Sequence, residues 1–69
     1  MHTYTLTDRD GVIRTLREYS QSALLRSLEW HDGTDYAARR ADSLPSNAVP
    51  MYRVTCDGFA PFDVYEVFP

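Results

Sequence analysis

The sequence predicts an α+β fold. The expected architecture is one antiparallel sheet of about four strands in the order ββ-α-(α)-ββ, with one or two helices packed on one face. Three observations carry this. Segments that alternate apolar and polar residues lie at both ends of the chain, each beside an Asp-Gly turn. A leucine-rich segment at helical spacing lies between them. Finally, 69 residues, 43% hydrophobic with a formal charge of −3, suit one collapsed domain over residues 1–69.

The first element is a hairpin over residues 2–17. In Thr3-Tyr4-Thr5-Leu6-Thr7 the apolar side chains alternate with threonines, the period of a half-buried strand. Asp8-Arg9-Asp10-Gly11 is a short loop, with Gly11 suited to a bulge. Val12-Ile13-Arg14-Thr15-Leu16 resumes the strand pattern. The period then changes. Ser20 or Ser22 caps a helix, Ala23, Leu24, Leu25 and Leu28 form its apolar stripe, and Gly33 stops it. A second, shorter helix is expected over Tyr36–Ser43, where Ala37, Ala38 and Ala41 are good helix formers and Pro45 blocks continuation. Leu44 to Pro50 is a connector.

Met51 to Cys56 is the clearest strand, with Tyr52, Val54 and Cys56 on one face. Asp57-Gly58 is a strong hairpin signal. Phe59 begins the return, Pro61 marks an edge or a bulge, and residues 62–68 alternate with apolar groups on both faces. The helix stripe is expected to pack on Leu6, Ile13, Val54 and Val64 or Val67. Tyr4-Thr5-Leu6-Thr7 before Asp10-Gly11 is echoed by Tyr52-Arg53-Val54-Thr55 before Asp57-Gly58. Either two hairpins have converged on the same residue types, or the hairpins are arranged about a two-fold axis.

Composition narrows the function classes. No apolar run approaches the ~20 residues of a membrane span, and no signal-like segment opens the chain. One cysteine makes no internal disulfide, and two histidines with it are thin material for a four-ligand zinc site. No cofactor is expected: phosphate-cradling Gly loops, CxxC, HExxH and GxSxG are all missing. The lone thiol points to a reducing cytoplasm. All seven basic side chains are Arg, and the acidic balance argues against phosphate-driven nucleic-acid binding.

Each chemical candidate has a plainer structural reading. Cys56 with His2 or His31 is a thiol and a base, but its predicted face favours a core thiol. Asp8 and Asp10 resemble part of a calcium loop without its distal Glu, and read as a solvated turn. Glu29 and Asp32 share a helix face, as expected of a charged helix end. Arg39-Arg40 is the one basic pair, a candidate phosphate contact or a solvated face. No enzyme is expected from this set. Trp30 lies opposite Leu28 by helical angle, under a loop or in solvent, and an exposed Trp is a typical interface anchor. Asp57, Phe59, Phe62, Asp63, Tyr65 and Glu66 form an acidic–aromatic strip. Its second apolar face calls for a helix, a dimer mate or a basic partner protein to cover it.

In size, acidity and this strip, from Asp57 to Phe68, the chain resembles the small inhibitors carried by phages and mobile elements, such as anti-CRISPR proteins. The resemblance is one of class and matches no family motif. It implies a non-catalytic protein-binding module that docks its acidic–aromatic surface on a basic site of a larger protein or nucleoprotein complex, with carboxylates standing in for phosphates. The partner-binding residues would then be Trp30, Asp57, Phe59, Phe62, Asp63, Tyr65 and Glu66. Two alternatives remain. One is a homo-oligomeric accessory subunit, a homodimer for example, that pairs through a sheet edge. The other is a weak nucleic-acid binder using Arg39, Arg40 and Arg53 with Tyr52.

Overall fold

The chain begins with the expected hairpin. In the computed structural model, which describes residues 1–38, 44 and 46–67, β1 (His2–Asp8) and β2 (Ile13–Glu18) pair antiparallel. Asp8 makes the turn. Its carboxylate accepts from the N–H groups of Asp10 and Val12, both at 2.9 Å, and Gly11 takes φ 82°. That left-handed conformation is open to glycine and costly to residues with a Cβ.

α1 (Gln21–Asp32) follows. Ser20 caps it, its Oγ accepting from the Ala23 N–H at 3.1 Å. Gly33, at φ 69°, ends it by donating to the Glu29 carbonyl. β3 (Tyr36–Ala38), β4 (Val49–Cys56) and β5 (Phe59–Glu66) complete a five-stranded antiparallel sheet in the order β2-β1-β4-β5-β3. The α+β class stands, with a single helix on one face among the described residues.

Two details differ from expectation. Tyr36–Ala38 forms an edge strand against Val64–Glu66 where a helix was expected, and the Val67 N–H donates to the Asp35 carbonyl beside it. The small helix preference of alanine is outweighed by the open hydrogen-bonding edge of β5. Residues 39–43 of that expected helix lie outside the described residues. Ile13 points away from the helix and is 64% exposed. The loop length sets this: it pairs Leu6 with Arg14, so Arg14, Leu16 and Glu18 share the helix-side face and Ile13 takes the other. The bulge expected at Pro61 is present, and β5 continues past it. Cys56 pairs with Phe59 but Val54 pairs with Phe62, so Ala60 and Pro61 together oppose Thr55 in a bulge.

The core is small. Tyr4, Leu6, Val54 and Val64 from the sheet meet Leu24 and Leu28 from α1, all at most 4% exposed. Leu16, Leu25, Tyr36, Ala38, Tyr52, Cys56 and Phe62 pack around them. The echoed segments are neighbours here: β1 and β4 pair about Leu6 and Val54, each with its own hairpin mate outside it. The two hairpins are thus related by an approximate two-fold axis within one chain. The opposite face of the sheet carries no helix among the described residues and is rich in threonine.

Candidate partner-binding surface

The expected strip on β5 is divided by the strand's own alternation. Phe62, Val64 and Glu66 lie on the helix side; Asp63 and Tyr65 lie on the open face. Phe62 packs on the core, its ring edge-to-face with Tyr4 at 6.4 Å. Glu66 is half-buried opposite Tyr36. Asp63 lies 3.5 Å from Arg53, so its charge is already matched within the monomer. That pair and Tyr65 border a shallow hollow of about 220 Å³ on the open face. Asp57 stands exposed at the β4–β5 turn, and Phe59, beside it, is 57% exposed.

Trp30 is 79% exposed on the outer face of α1, where it touches His31 edge-to-face at 4.5 Å. The seven expected contact residues therefore occupy three separate regions and the core. Of the seven, Phe59 and Phe62 line an opening walled by rings, and Asp57 stands near it in sequence.

That opening is a recess of about 470 Å³ at the end of the molecule where β1 begins and β5 returns. His2, Tyr4, Tyr19, Phe59, Pro61 and Phe62 form its walls, and Ser20 and Gln21 its lip. Its rings are ordered. Phe59 meets His2 at 5.1 Å, His2 meets Tyr4 at 6.2 Å and Tyr4 meets Phe62, each edge-to-face. Burial, with the neighbouring Cys56 adding to it, pushes the Tyr4 phenol above its ordinary pKa and keeps it neutral. Among the described residues, no Lys or Arg lines the recess. Glu18 lies at the register position opposite His2, and Asp57 two residues before Phe59.

The sequence marked His2 only as a candidate base for Cys56, and did not mark Tyr19 or Pro61 as parts of a site. Their positions at the two chain turns near the ends of β1, β2 and β5 were the available signal, but only the strand order brings them together.

A polar cluster closes the opposite end of the core. Leu24, Leu28 and Asp32 follow at intervals of four on α1, so Asp32 continues the inward stripe. Its Oδ2 accepts from the Tyr36 hydroxyl at 2.9 Å and the Tyr52 hydroxyl at 3.3 Å, while Oδ1 faces Arg14 Nη1 at 3.6 Å. The Arg14 guanidinium carbon lies 5.6 Å from the Tyr52 ring centroid. Burial first, then the Asp32 carboxylate, raises the pKa of Tyr36 and of Tyr52. Two phenols and a guanidinium gathered on one carboxylate over the core edge read as a lid on the fold.

Cys56 packs on the core and directs its thiol toward the Asp57 carbonyl at 3.8 Å. Among the described residues, no group of three or more His, Cys, Asp or Glu is placed to hold a metal ion. No helix among them is long and apolar enough to cross a membrane. Arg39 and Arg40 lie outside the described residues, and Arg53 is the partner of Asp63. No protein-family model, curated protein sequence or solved structure matches this chain.

Proposed function

We propose that this chain is a non-catalytic binding module that docks on a basic site of a larger partner through the β4–β5 turn and the aromatic recess beside it. The observation that supports it best is Phe59. Its ring is 57% exposed at the wall of an open hollow, with Asp57 nearby in sequence and no Lys or Arg among the described residues that line it. Folding gains little from a ring left in water, whereas a partner side chain entering the hollow would cover it. Ring faces and nearby carboxylates together favour a guanidinium or ammonium group.

In its sharper form the module is an inhibitor of the phage or mobile-element kind, acting in the bacterial cytoplasm and occupying a site that otherwise holds nucleic acid. Size and the net charge of −3 support that form. Relative to the expected strip, the docking surface keeps Asp57, Phe59 and Phe62 and gains His2 and Tyr19.

Affinity capture with wild type, Phe59→Ala, Asp57→Arg and Tyr65→Ala tests the surface. A partner retained by wild type and Tyr65→Ala should be lost from the other two. Unchanged capture by Phe59→Ala and Asp57→Arg overturns the assignment. The chemistry is tested separately with an oligoarginine and an oligoglutamate peptide. The first should shift the ring resonances of Phe59 and Tyr19 and the second should not; equal responses refute a cation-accepting recess.

A further inference from the structure

We infer that β2 pairs with β2 of a second copy, joining two sheets into one across a two-fold axis. The reason begins with the turn. The Asp8 N–H donates to the Val12 carbonyl at 3.0 Å, and the register continues without interruption to His2 and Glu18. Alternation then assigns the backbone groups of Arg14, Leu16 and Glu18 to β1. The N–H and C=O groups of Ile13, Thr15 and Arg17 point outward. These three residues are exposed, and no strand among the described residues flanks them. The strand is six residues long with no proline or bulge, so it keeps none of the backbone features that commonly blunt a sheet edge.

The side chains select the partner and the register. Consider β2 antiparallel to itself with Leu16 opposite the partner's Leu16. Arg14 then stands opposite the partner's Glu18, and Glu18 opposite the partner's Arg14. Two opposite-charge pairs flank an apolar pair on the helix side, the favourable cross-strand combinations. Outward bonding pairs Thr15 with the partner's Arg17. Ile13, 64% exposed, and Tyr19, 73% exposed, come to the same register position across the axis. The neighbouring two-fold registers lose this. Centring on Thr15 sets Arg14 against leucine, and centring on Arg17 sets arginine against arginine. Arg14 also has a buried Nε without an acceptor in the monomer, and the partner's Glu18 brings a carboxylate to that strand position.

A ribbon of this length buries less than the roughly 1,600 Å² of a standard interface, so the dissociation constant should be on the order of 10–100 µM. Sedimentation of the whole chain across that range should show the 7.9 kDa species doubling in mass. The amides of Ile13, Thr15 and Arg17 should gain exchange protection as concentration rises. Thr15→Pro removes an outward N–H while leaving the bonds to β1, and Glu18→Arg sets arginine against Arg14 twice. Each should weaken association by about tenfold or more while the far-ultraviolet circular dichroism spectrum keeps its shape. Thr15→Val is the folding control and should still associate. A chain that stays monomeric to about 1 mM overturns the inference. So does association that both variants leave intact, or protection that appears on other strands instead. Phe59→Ala should leave the dimer unchanged, so this inference and the docking surface fail independently.

Discussion

Asp32 and Tyr52 lie twenty positions apart in sequence and meet at 3.3 Å, carboxylate to phenol, where the end of α1 crosses β4. The same carboxylate holds Tyr36 and faces Arg14. One side chain thus joins the helix to three strands, and its removal strands several polar groups at once.

Asp32→Ala should therefore cost about 1–3 kcal/mol, the penalty for leaving half-buried donors without an acceptor. Asp63→Ala makes the contrast. Its ion pair with Arg53 spans 3.5 Å between side chains 39% and 64% exposed, and should change stability by less than about 1 kcal/mol. Urea denaturation of both variants checks the ranking; equal losses would show that the lid is not structural.

Alkaline pH should loosen the same region. Burial and the Asp32 carboxylate raise Tyr36 and Tyr52 above the ordinary tyrosine value of 10.0. Below that value the phenols are neutral in both states and their contribution is complete. Above it the unfolded chain releases protons that the folded chain retains, so stability falls as pH rises toward the folded values. Denaturation midpoints should hold steady from about pH 8 to 9 and decline from about pH 10 upward, and Tyr36→Phe should flatten the decline. The neutral variant Asp32→Asn should let Tyr52 ionise at lower pH, read from tyrosinate absorbance.

Leu28→Ala tests the core. Leu28 has no exposed surface, and such truncations cost about 2–5 kcal/mol. A chain of this length holds roughly 3–10 kcal/mol in total. The variant should be largely unfolded or melt far below wild type, measured by circular dichroism; near-wild-type melting would mean the helix is not anchored there.

Ser20→Ala should cost about 1 kcal/mol, since the hydroxyl satisfies the Ala23 N–H at 3.1 Å. Ser20→Gly should cost only a few tenths, because glycine is itself a tolerated cap. A reversed order in thermal melts would show that the hydroxyl serves the recess lip more than the helix.

The elements legible in the sequence were those specified locally. The two Asp-Gly turns, the Ser20 cap and the Gly33 stop each act within a few residues, and all four stand in the structure. β3 was not legible. Tyr36-Ala37-Ala38 carries no strand pattern of its own, and only the free edge of β5, far along the chain, makes it a strand. Ile13 was misplaced for a related reason, because one residue of loop length decides which face a returning strand presents. Helical angle placed Trp30 opposite Leu28, under a loop or in solvent, and the structure leaves it in solvent. The recess was not legible, since His2, Tyr19 and Phe59 belong to three segments that converge only once the sheet order is set.

The side of the sheet that no helix among the described residues covers bears a surface suited to water. Thr3, Thr5, Thr7, Thr15 and Thr55 give that side its texture. Each has the branched shape that extended backbone favours, together with a hydroxyl that water can wet. Valine in their place would keep the same branching and make the surface adhesive. Two-layer folding without a second helical sheath is thus tolerable because shape and wettability are supplied by different atoms of one residue type.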